Sequence, residues 1–374
     1  MDIQFCDLKA QYKRIREGVN KRIQSVLEHG QYIMGPEVKE LEKTLADYSG
    51  AKHCIGVSSG TDALLIALMA VGVKRGDAVF LPAFTYTATT EVVALLGATP
   101  FFVDVDSGSF NMSPDELVVQ VQRVLDSGKL TPKAVIPVDL FGLPADYRAI
   151  QAIADNYQLH VIADAAQSFG ASYDGKRVGC LAEITATSFF PAKPLGAYGD
   201  GGAIFTDNDE LADVMRSLRV HGSGGSKYDV VRVGVNGRLD TLQAAILLAK
   251  FSVFNAEIET RRSVASEYDK RLAGHVSLPP RGEGSLSAWA QYTIRVANRD
   301  RVAARLKEKN IPTAVYYPKP LHLQTAYVEF GRGPGSAPIS EALCSEVLSL
   351  PMHPYLTQEA IDFICTNVVN ATTS

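Results

Sequence analysis

The 374-residue chain contains no apolar run able to cross a bilayer. Its densest apolar segment, residues 63–71, falls far short of the roughly 20 residues a spanning helix needs. The N-terminal stretch carries acids at Asp2 and Asp7 and lacks the apolar segment of a secretory leader, so none is expected. Cysteine is sparse: Cys6, Cys54, Cys180, Cys344 and Cys365 are scattered, odd in number and without a close pair at metal-ligand spacing. They read as reduced thiols of a cytoplasmic protein, with no metal site expected. An excess of positive charge is also missing. With a net charge of −4 and a pI of about 6.0, nothing draws the whole chain to nucleic acid or to an anionic membrane. No G-x-G-x-x-G follows the first strand-like run, which argues against a nicotinamide dehydrogenase. Internal repeats and low-complexity tracts are absent as well.

What is present is the composition of a globular protein, 46% hydrophobic and 21% charged, long enough for two domains. The first two thirds alternate strand-like with helix-like segments. Strands are predicted at 53–57, 78–81, 100–103, 133–138, around Val161, at 185–190 and at 202–206. Helices are predicted at 61–71, 87–96, from Ser113-Pro114, and at 146–157. The strands are apolar without clean alternation, which predicts a mostly parallel sheet covered on both faces. The texture changes near Arg238. A long helix to about Leu272 is followed by a second α/β lobe, with a strand at 292–296 and helices at 300–309 and 357–369. The expected division is a large domain over 1–250, N-terminal segment included, and a small domain over 251–374.

The most telling residue is Lys193, in Ser188-Phe189-Phe190-Pro191-Ala192-Lys193-Pro194-Leu195-Gly196, with Gly199, Gly201 and Gly202 following. A surface lysine is the ordinary alternative. These flanks instead predict a partly desolvated amine, with a lowered pKa and freed as a nucleophile, and glycines that let backbone approach a bound group. Upstream, Asp164-Ala165-Ala166-Gln167 closes the apolar run Leu159-His160-Val161-Ile162-Ala163. Ligands of open α/β sheets bind at the carboxyl ends of strands, where Asp164 falls. A strand-end carboxylate and a desolvated lysine are what pyridoxal 5′-phosphate (PLP) needs: a Schiff-base partner and an anion that keeps the pyridine nitrogen protonated. Asp164 could instead cap a helix, and Gln167 could be a turn amide rather than a partner of the cofactor's phenolic oxygen.

A phosphate seat is expected at Ser58-Ser59-Gly60-Thr61-Asp62, between strand and helix, with Thr61 as the cap and the free N–H groups facing an anion. Ser188 offers a hydroxyl and Asn236 an amide, although Asn236 also suits a turn. Tyr86 is placed to stack on the pyridine ring or to join the core. The glycine-bracketed stretch ending at Gly35-Pro36 either opens a helix or seats a second anion, such as a sugar-nucleotide diphosphate.

Taken in order, Gly60-Thr61-Asp62-Ala63-Leu64, Asp164-Ala165-Ala166-Gln167, Ser188-Phe189-Phe190-x-x-Lys193-x-Leu195-Gly196 with Gly199-Asp200-Gly201-Gly202, and Asn236-Gly237-Arg238-Leu239-Asp240 resemble the DegT/DnrJ/EryC1/StrS sugar-nucleotide aminotransferases. The likeness runs from Phe5-Cys6-Asp7-Leu8 to Leu350-Pro351-Met352-His353-Pro354. It implies the aspartate aminotransferase-like α/β architecture of PLP fold type I. It also implies that Lys193 carries PLP and shuttles a proton, Asp164 pairs with the ring nitrogen, Gln167 with the ring oxygen, and Tyr86 stacks. Thr61, the Asp62 backbone and Ser188 would bind phosphate. Asn236 would do so from a neighbouring subunit, making a homodimer with shared active sites. Relatives that replace the lysine with histidine become dehydratases, and this chain keeps Lys193.

Within the family the likeness points to enzymes that aminate UDP-2-acetamido-2-deoxy-3-oxo-D-glucuronate from glutamate, leaving 2-oxoglutarate, for surface polysaccharides such as lipopolysaccharide O-antigen. Substrate contacts would then come from Gly35, Arg238, Tyr316 and Tyr317. Arg238 suits a carboxylate, or else a salt bridge at the dimer seam. Where such relatives often have Val-His-Tyr-Pro, this chain has Val315-Tyr316-Tyr317-Pro318, and its Gly222–Tyr228 loop also departs from theirs. The alternatives are a 4-keto (or 3-keto) 6-deoxyhexose nucleotide as acceptor, and a sugar-nucleotide sensor that retains the fold.

Overall fold

The central sheet has seven strands: β1 (His53–Val57), β2 (Asp77–Pro82), β3 (Thr99–Val103), β4 (Thr131–Val135), β5 (His160–Asp164), β8 (Ile184–Ser188) and β9 (Gly202–Thr206). A small antiparallel group is made by β6 (Ser172–Tyr173), β7 (Lys176–Arg177) and β10 (Ser285–Leu286). The computed structural model describes residues 2–226 and 228–373; Lys227, part of the glycine-rich loop noted above, lies outside the described residues.

The order across the large sheet is β1-β9-β8-β5-β4-β2-β3. All pairs are parallel except those of β9, which runs against both β1 and β8. The mostly parallel, doubly covered sheet expected from the apolar runs is therefore present. β2 and β9 are buried at every position, because helices pack on both faces. These helices include α3 (Gly60–Ala70), α4 (Ala88–Leu95), α5 (Pro114–Ser127), α6 (Tyr147–Tyr157) and α7 (Asp209–Leu218). On one face α3 contributes Leu64, Ile66, Ala67 and Leu68 to a cluster with Ile55, Val79, Ile162 and Ile204. On the other, α5 and α6 pack Leu117, Val121 and Ile150 against Phe80 and Val161.

Ahead of the sheet lie α1 (Leu8–His29) and α2 (Pro36–Ser49), which pack on the long α8 (Thr241–Leu272). Position 250 falls inside α8, which crosses it unbroken. The first part of α8 puts Ala244, Leu247 and Phe254 into the core of the large domain, while Val264, Tyr268 and Leu272 enter the core of the small lobe. That lobe is built on the antiparallel pair β11 (Tyr292–Arg295) and β12 (Val347–Leu350), with α9 (Arg299–Glu308), α10 (Pro338–Glu346) and α11 (Gln358–Thr373). The N-terminal segment laps this lobe: Ile3 sits in its core and Phe5 O accepts from Met352 N at 3.2 Å.

Two local expectations are corrected. The strand expected over 185–190 ends at Ser188, although Phe189 N still donates to Gly201 O at 2.7 Å; beyond Phe189 the chain loops out before position 190 can pair. The strand expected over 133–138 is assigned only to Val135, although Ile136 N still donates to Phe80 O at 2.8 Å.

A buried ion pair ties these layers together. Arg219, 4% exposed, donates from Nη1 to the Glu42 carboxylate and to Gly56 O at 2.7 Å, and Gly56 N donates to Glu42 at 2.8 Å. Arg219→Ala strands the Glu42 charge with little water to solvate it. The expected loss is about 3–5 kcal/mol, read as a lowered urea midpoint. An unchanged midpoint would mean that water replaces the guanidinium.

Candidate active site

The site lies at the carboxyl ends of β5 and β8, beside the start of α3. Asp164 ends β5 and is 6% exposed. Thr89 Oγ1 donates to its Oδ2 at 2.8 Å and Ala166 N to its Oδ1 at 3.2 Å. Burial raises its pKa above the usual carboxylate value, while these donors and the Lys193 amine act the other way. After Ser188 the chain loops out and returns: Lys193 N donates to Phe190 O at 2.9 Å and Ala197 N to Phe189 O at 2.7 Å. Burial lowers the pKa of the Lys193 amine below the usual lysine value, and Asp164 opposes that shift. Lys193 is half-buried, and its amine is coupled electrostatically to Asp164. Gly196 has a structural task of its own. A Cβ on Gly196 would lie 2.4 Å from Pro191 O, so this glycine permits the loop to close on itself rather than admitting a ligand.

The phosphate-seat residues come together as a cradle. Ser59, not Thr61, caps α3, its Oγ accepting from Asp62 N at 3.0 Å. The Asp62 N–H expected for phosphate is therefore already engaged, while the Asp62 carboxylate accepts from Ser58 Oγ. The remaining N–H groups of the first turn, those of Gly60 and Thr61, have no intrahelical partner and carry the positive end of the helix dipole. Ser188 stands directly against this turn: a Cβ on Gly60 would lie 2.6 Å from Ser188 Cβ. Gly60→Val is expected to push Ser188 aside and weaken PLP binding by about tenfold or more, the effect of 1–3 kcal/mol of overpacking. A fluorescence titration of apoprotein with PLP reads it, and equal affinity would show that the cradle is not the seat.

Gln167 is 5% exposed, accepting from Phe141 N at 2.6 Å through Oε1 and donating to Tyr317 Oη at 3.3 Å through Nε2. Tyr317 is half-buried, and burial raises its pKa. Its ring lies 6.2 Å from that of Tyr86, tilted by 38°. Tyr86 is 57% exposed, so its core alternative is excluded. Tyr316 packs edge-on against Tyr317 at 5.8 Å and against Phe5 at 6.3 Å.

The Asn236–Arg238 stretch lies alongside β1: Arg238 bridges Val57 and Ser58 N donates to Gly237 O at 3.0 Å. Asn236 is exposed there. Arg238 is half-buried, and its Nε has no hydrogen-bond partner among the described residues. Gly35 departs from expectation. It is the N-cap of α2, but its N–H donates to Thr241 Oγ1 at 3.0 Å, and Gln31 O and Thr241 crowd the space beside it. That amide is consumed in docking α2 onto α8 and has none to offer a substrate anion.

Sequence reasoning missed Thr89 and Asp139. Thr89 is hidden among the neighbouring threonines 85, 87 and 90; Thr85 and Thr90 are as deeply buried, and only the bond to Asp164 separates it from them. Asp139 did carry a signal: like Asp164 it follows an apolar run, Ala134-Val135-Ile136-Pro137-Val138.

The residues fit PLP: open N–H groups and a hydroxyl for a phosphate, a buried carboxylate for the ring nitrogen, an amide donor, and an amine of lowered proton affinity. Comparison with known proteins agrees. Residues 13–369 match the DegT/DnrJ/EryC1/StrS aminotransferase family. The chain is 51% identical over 371 residues to UDP-2-acetamido-2-deoxy-3-oxo-D-glucuronate aminotransferase of Pseudomonas aeruginosa, covering 98% of this chain and 100% of that one. It is 40% identical to the UDP-N-acetyl-3-dehydro-alpha-D-glucosamine 3-aminotransferase of Acidithiobacillus ferrooxidans, covering 97% and 96%. The crystal structure of a DegT DnrJ EryC1 StrS aminotransferase from Brucella abortus superposes with a TM-score of 0.97 at 49% identity, over the full length of both chains.

Proposed function

The chain belongs to the DegT/DnrJ/EryC1/StrS aminotransferase family, with PLP as its cofactor, and we propose that it aminates C3 of UDP-2-acetamido-2-deoxy-3-oxo-D-glucuronate with glutamate as donor. The observation that carries the reaction class is the half-buried Lys193, its amine coupled to the buried Asp164 carboxylate at the end of β5. The substrate reading is supported by the 51% identical Pseudomonas protein and by the second relative, which also acts at C3 of a UDP-linked sugar. These names favour C3 over the 4-keto alternative.

When bound, PLP supplies an electron sink that lets an amine change carbon partners. The chain does the rest. Lys193 Nζ holds the cofactor and moves a proton, which requires an amine that is not held permanently protonated. Asp164, with both oxygens anchored, holds the ring-nitrogen proton. Gln167 donates to the ring oxygen, and Tyr86 stacks from the exposed side. Gly60 and Thr61, through their open N–H groups, and Ser188 would receive the phosphate, joined by Asn236 of a second copy, while Asp62 serves only to hold the turn. Arg238, with its Nε unpaired, receives a carboxylate of the uronate or of glutamate, and Tyr316 and Tyr317 line the sugar side.

A homodimer is supported by the large apolar side chains that the single chain leaves exposed. Tyr86, Phe190, Val231 and Val233 are 57%, 51%, 54% and 86% exposed, apolar surface that a second copy could cover. No helix among the described residues is long and apolar enough to cross a membrane, which suits the cytoplasm, where nucleotide sugars for surface polysaccharides are made.

The test is direct. Purified protein is given glutamate with the 3-oxo uronate or with a 4-keto-6-deoxyhexose nucleotide, and 2-oxoglutarate release and product NMR are followed. Nitrogen at C3 of the uronate is the expected result. Nitrogen at C4, or turnover with the deoxyhexose alone, overturns the substrate reading.

A further inference from the structure

Behind the site lies a second buried carboxylate with no part in the reading above. Asp139 is fully buried, and every hydrogen bond it makes through its side chain is accepted from a neighbour. Its Oδ1 accepts from Ala145 N at 2.9 Å and from Tyr147 Oη at 2.8 Å, and its Oδ2 from Ser168 Oγ at 2.6 Å. Its own N–H donates to Asp164 O at 3.0 Å. Asp139 thus holds the far end of the 140–145 turn and the residue next to Gln167.

That turn contains Phe141 at φ 59°, a left-handed conformation that a bulky side chain adopts only under constraint. The constraint has a consequence. It aims the Phe141 N–H at Gln167 Oε1, 2.6 Å away. An N–H can only donate, so the amide oxygen must face Phe141, leaving Nε2, the donor end, toward Tyr317 and the site. Reversing the amide would set N–H against N–H.

We propose that Asp139 is a positioning residue which, through Ser168 and the 140–145 turn, dictates that Gln167 presents a hydrogen-bond donor to the ring oxygen of PLP. The titratable groups facing Asp139 are Tyr147 from α6 and Asp164 from β5; burial pushes its carboxyl up to about 7, and no cation offsets this. The inference rests on the cofactor reading, and the test separates the two.

Wild-type, Q167A, S168A and D139N holoenzymes are titrated by the absorbance of the lysine-bound cofactor. A donor at the ring oxygen matters most once the linkage nitrogen has lost its proton, because the oxygen's charge is then uncompensated. Losing the donor therefore raises the pH midpoint, by about 1–2 units in Q167A. S168A and D139N are expected to raise it by about half as much. Merely losing a nearby anion would lower it instead, so the sign separates positioning from charge. In the Q167A background the Asp139 and Ser168 substitutions should add nothing. Midpoints that stay put or fall in S168A, or shifts that add to that of Q167A, overturn the inference. Should D139N not fold, S168A decides, since it removes a single hydroxyl. A wild-type protein without the chromophore overturns both readings; a wild-type chromophore with an unmoved S168A midpoint overturns this one alone.

Discussion

Lys193→Ala will lower turnover with glutamate and the ketosugar by about 10⁴-fold or more, and borohydride-treated protein will carry no cofactor adduct on the 188–196 peptide. Two losses combine. The amine is the covalent anchor, and it is also the group that moves the proton, a role worth about 10²–10⁴-fold by itself. Its surroundings are built for both: burial lowers its proton affinity while Asp164 limits the fall. The cradle of Gly60, Thr61 and Ser188 is untouched by the substitution, so PLP should still bind, reversibly, with the spectrum of the free aldehyde. Turnover at even a hundredth of the wild-type rate would show that another group moves the proton, and an adduct on a different peptide would sink the assignment.

Asp164→Asn is expected to cost about 10²–10³-fold in turnover, the scale of removing one preorganised charge partner from a buried site. The substitution preserves size and the Thr89 contact, so the loss isolates charge. An amide cannot hold a proton on the ring nitrogen against burial. A second readout checks the coupling. In the wild type, Asp164 raises the proton affinity of Lys193. Without that anion, burial acts alone and the amine deprotonates at lower pH. The pH midpoint for cofactor attachment should accordingly shift downward in Asp164→Asn. An unmoved midpoint together with near-normal turnover would mean that the ring nitrogen is served by some other group.

Much of this was legible in the chain itself, for a local reason. A parallel sheet buried on both faces requires apolar runs such as residues 78–81 and 202–206, and those runs are visible without knowing their neighbours. Ligands gather where such strands end, so Asp164, Ser188 and the turn before α3 could be marked in advance. The chemistry of Lys193 followed from its residue type and flanks. What could not be read was the backbone geometry within a turn and anything set by contacts across long separations. The cap of α3 went to Ser59 instead of Thr61, a choice between adjacent hydroxyls made by backbone geometry. The Gly35 amide was taken by Thr241, 206 residues away.

Sequence by itself, then, determined the fold class and the chemical groups of this protein, because strand burial and strand-end chemistry are encoded in short stretches. Only the tertiary structure decided how those groups are held. Thr89 under Asp164, Asp139 behind Gln167 and Arg219 on Glu42 are separated in the chain by 75, 28 and 177 positions. A polar side chain in a buried layer must find its partner there, and which partner it meets depends on how the layers pack rather than on its neighbours in the chain.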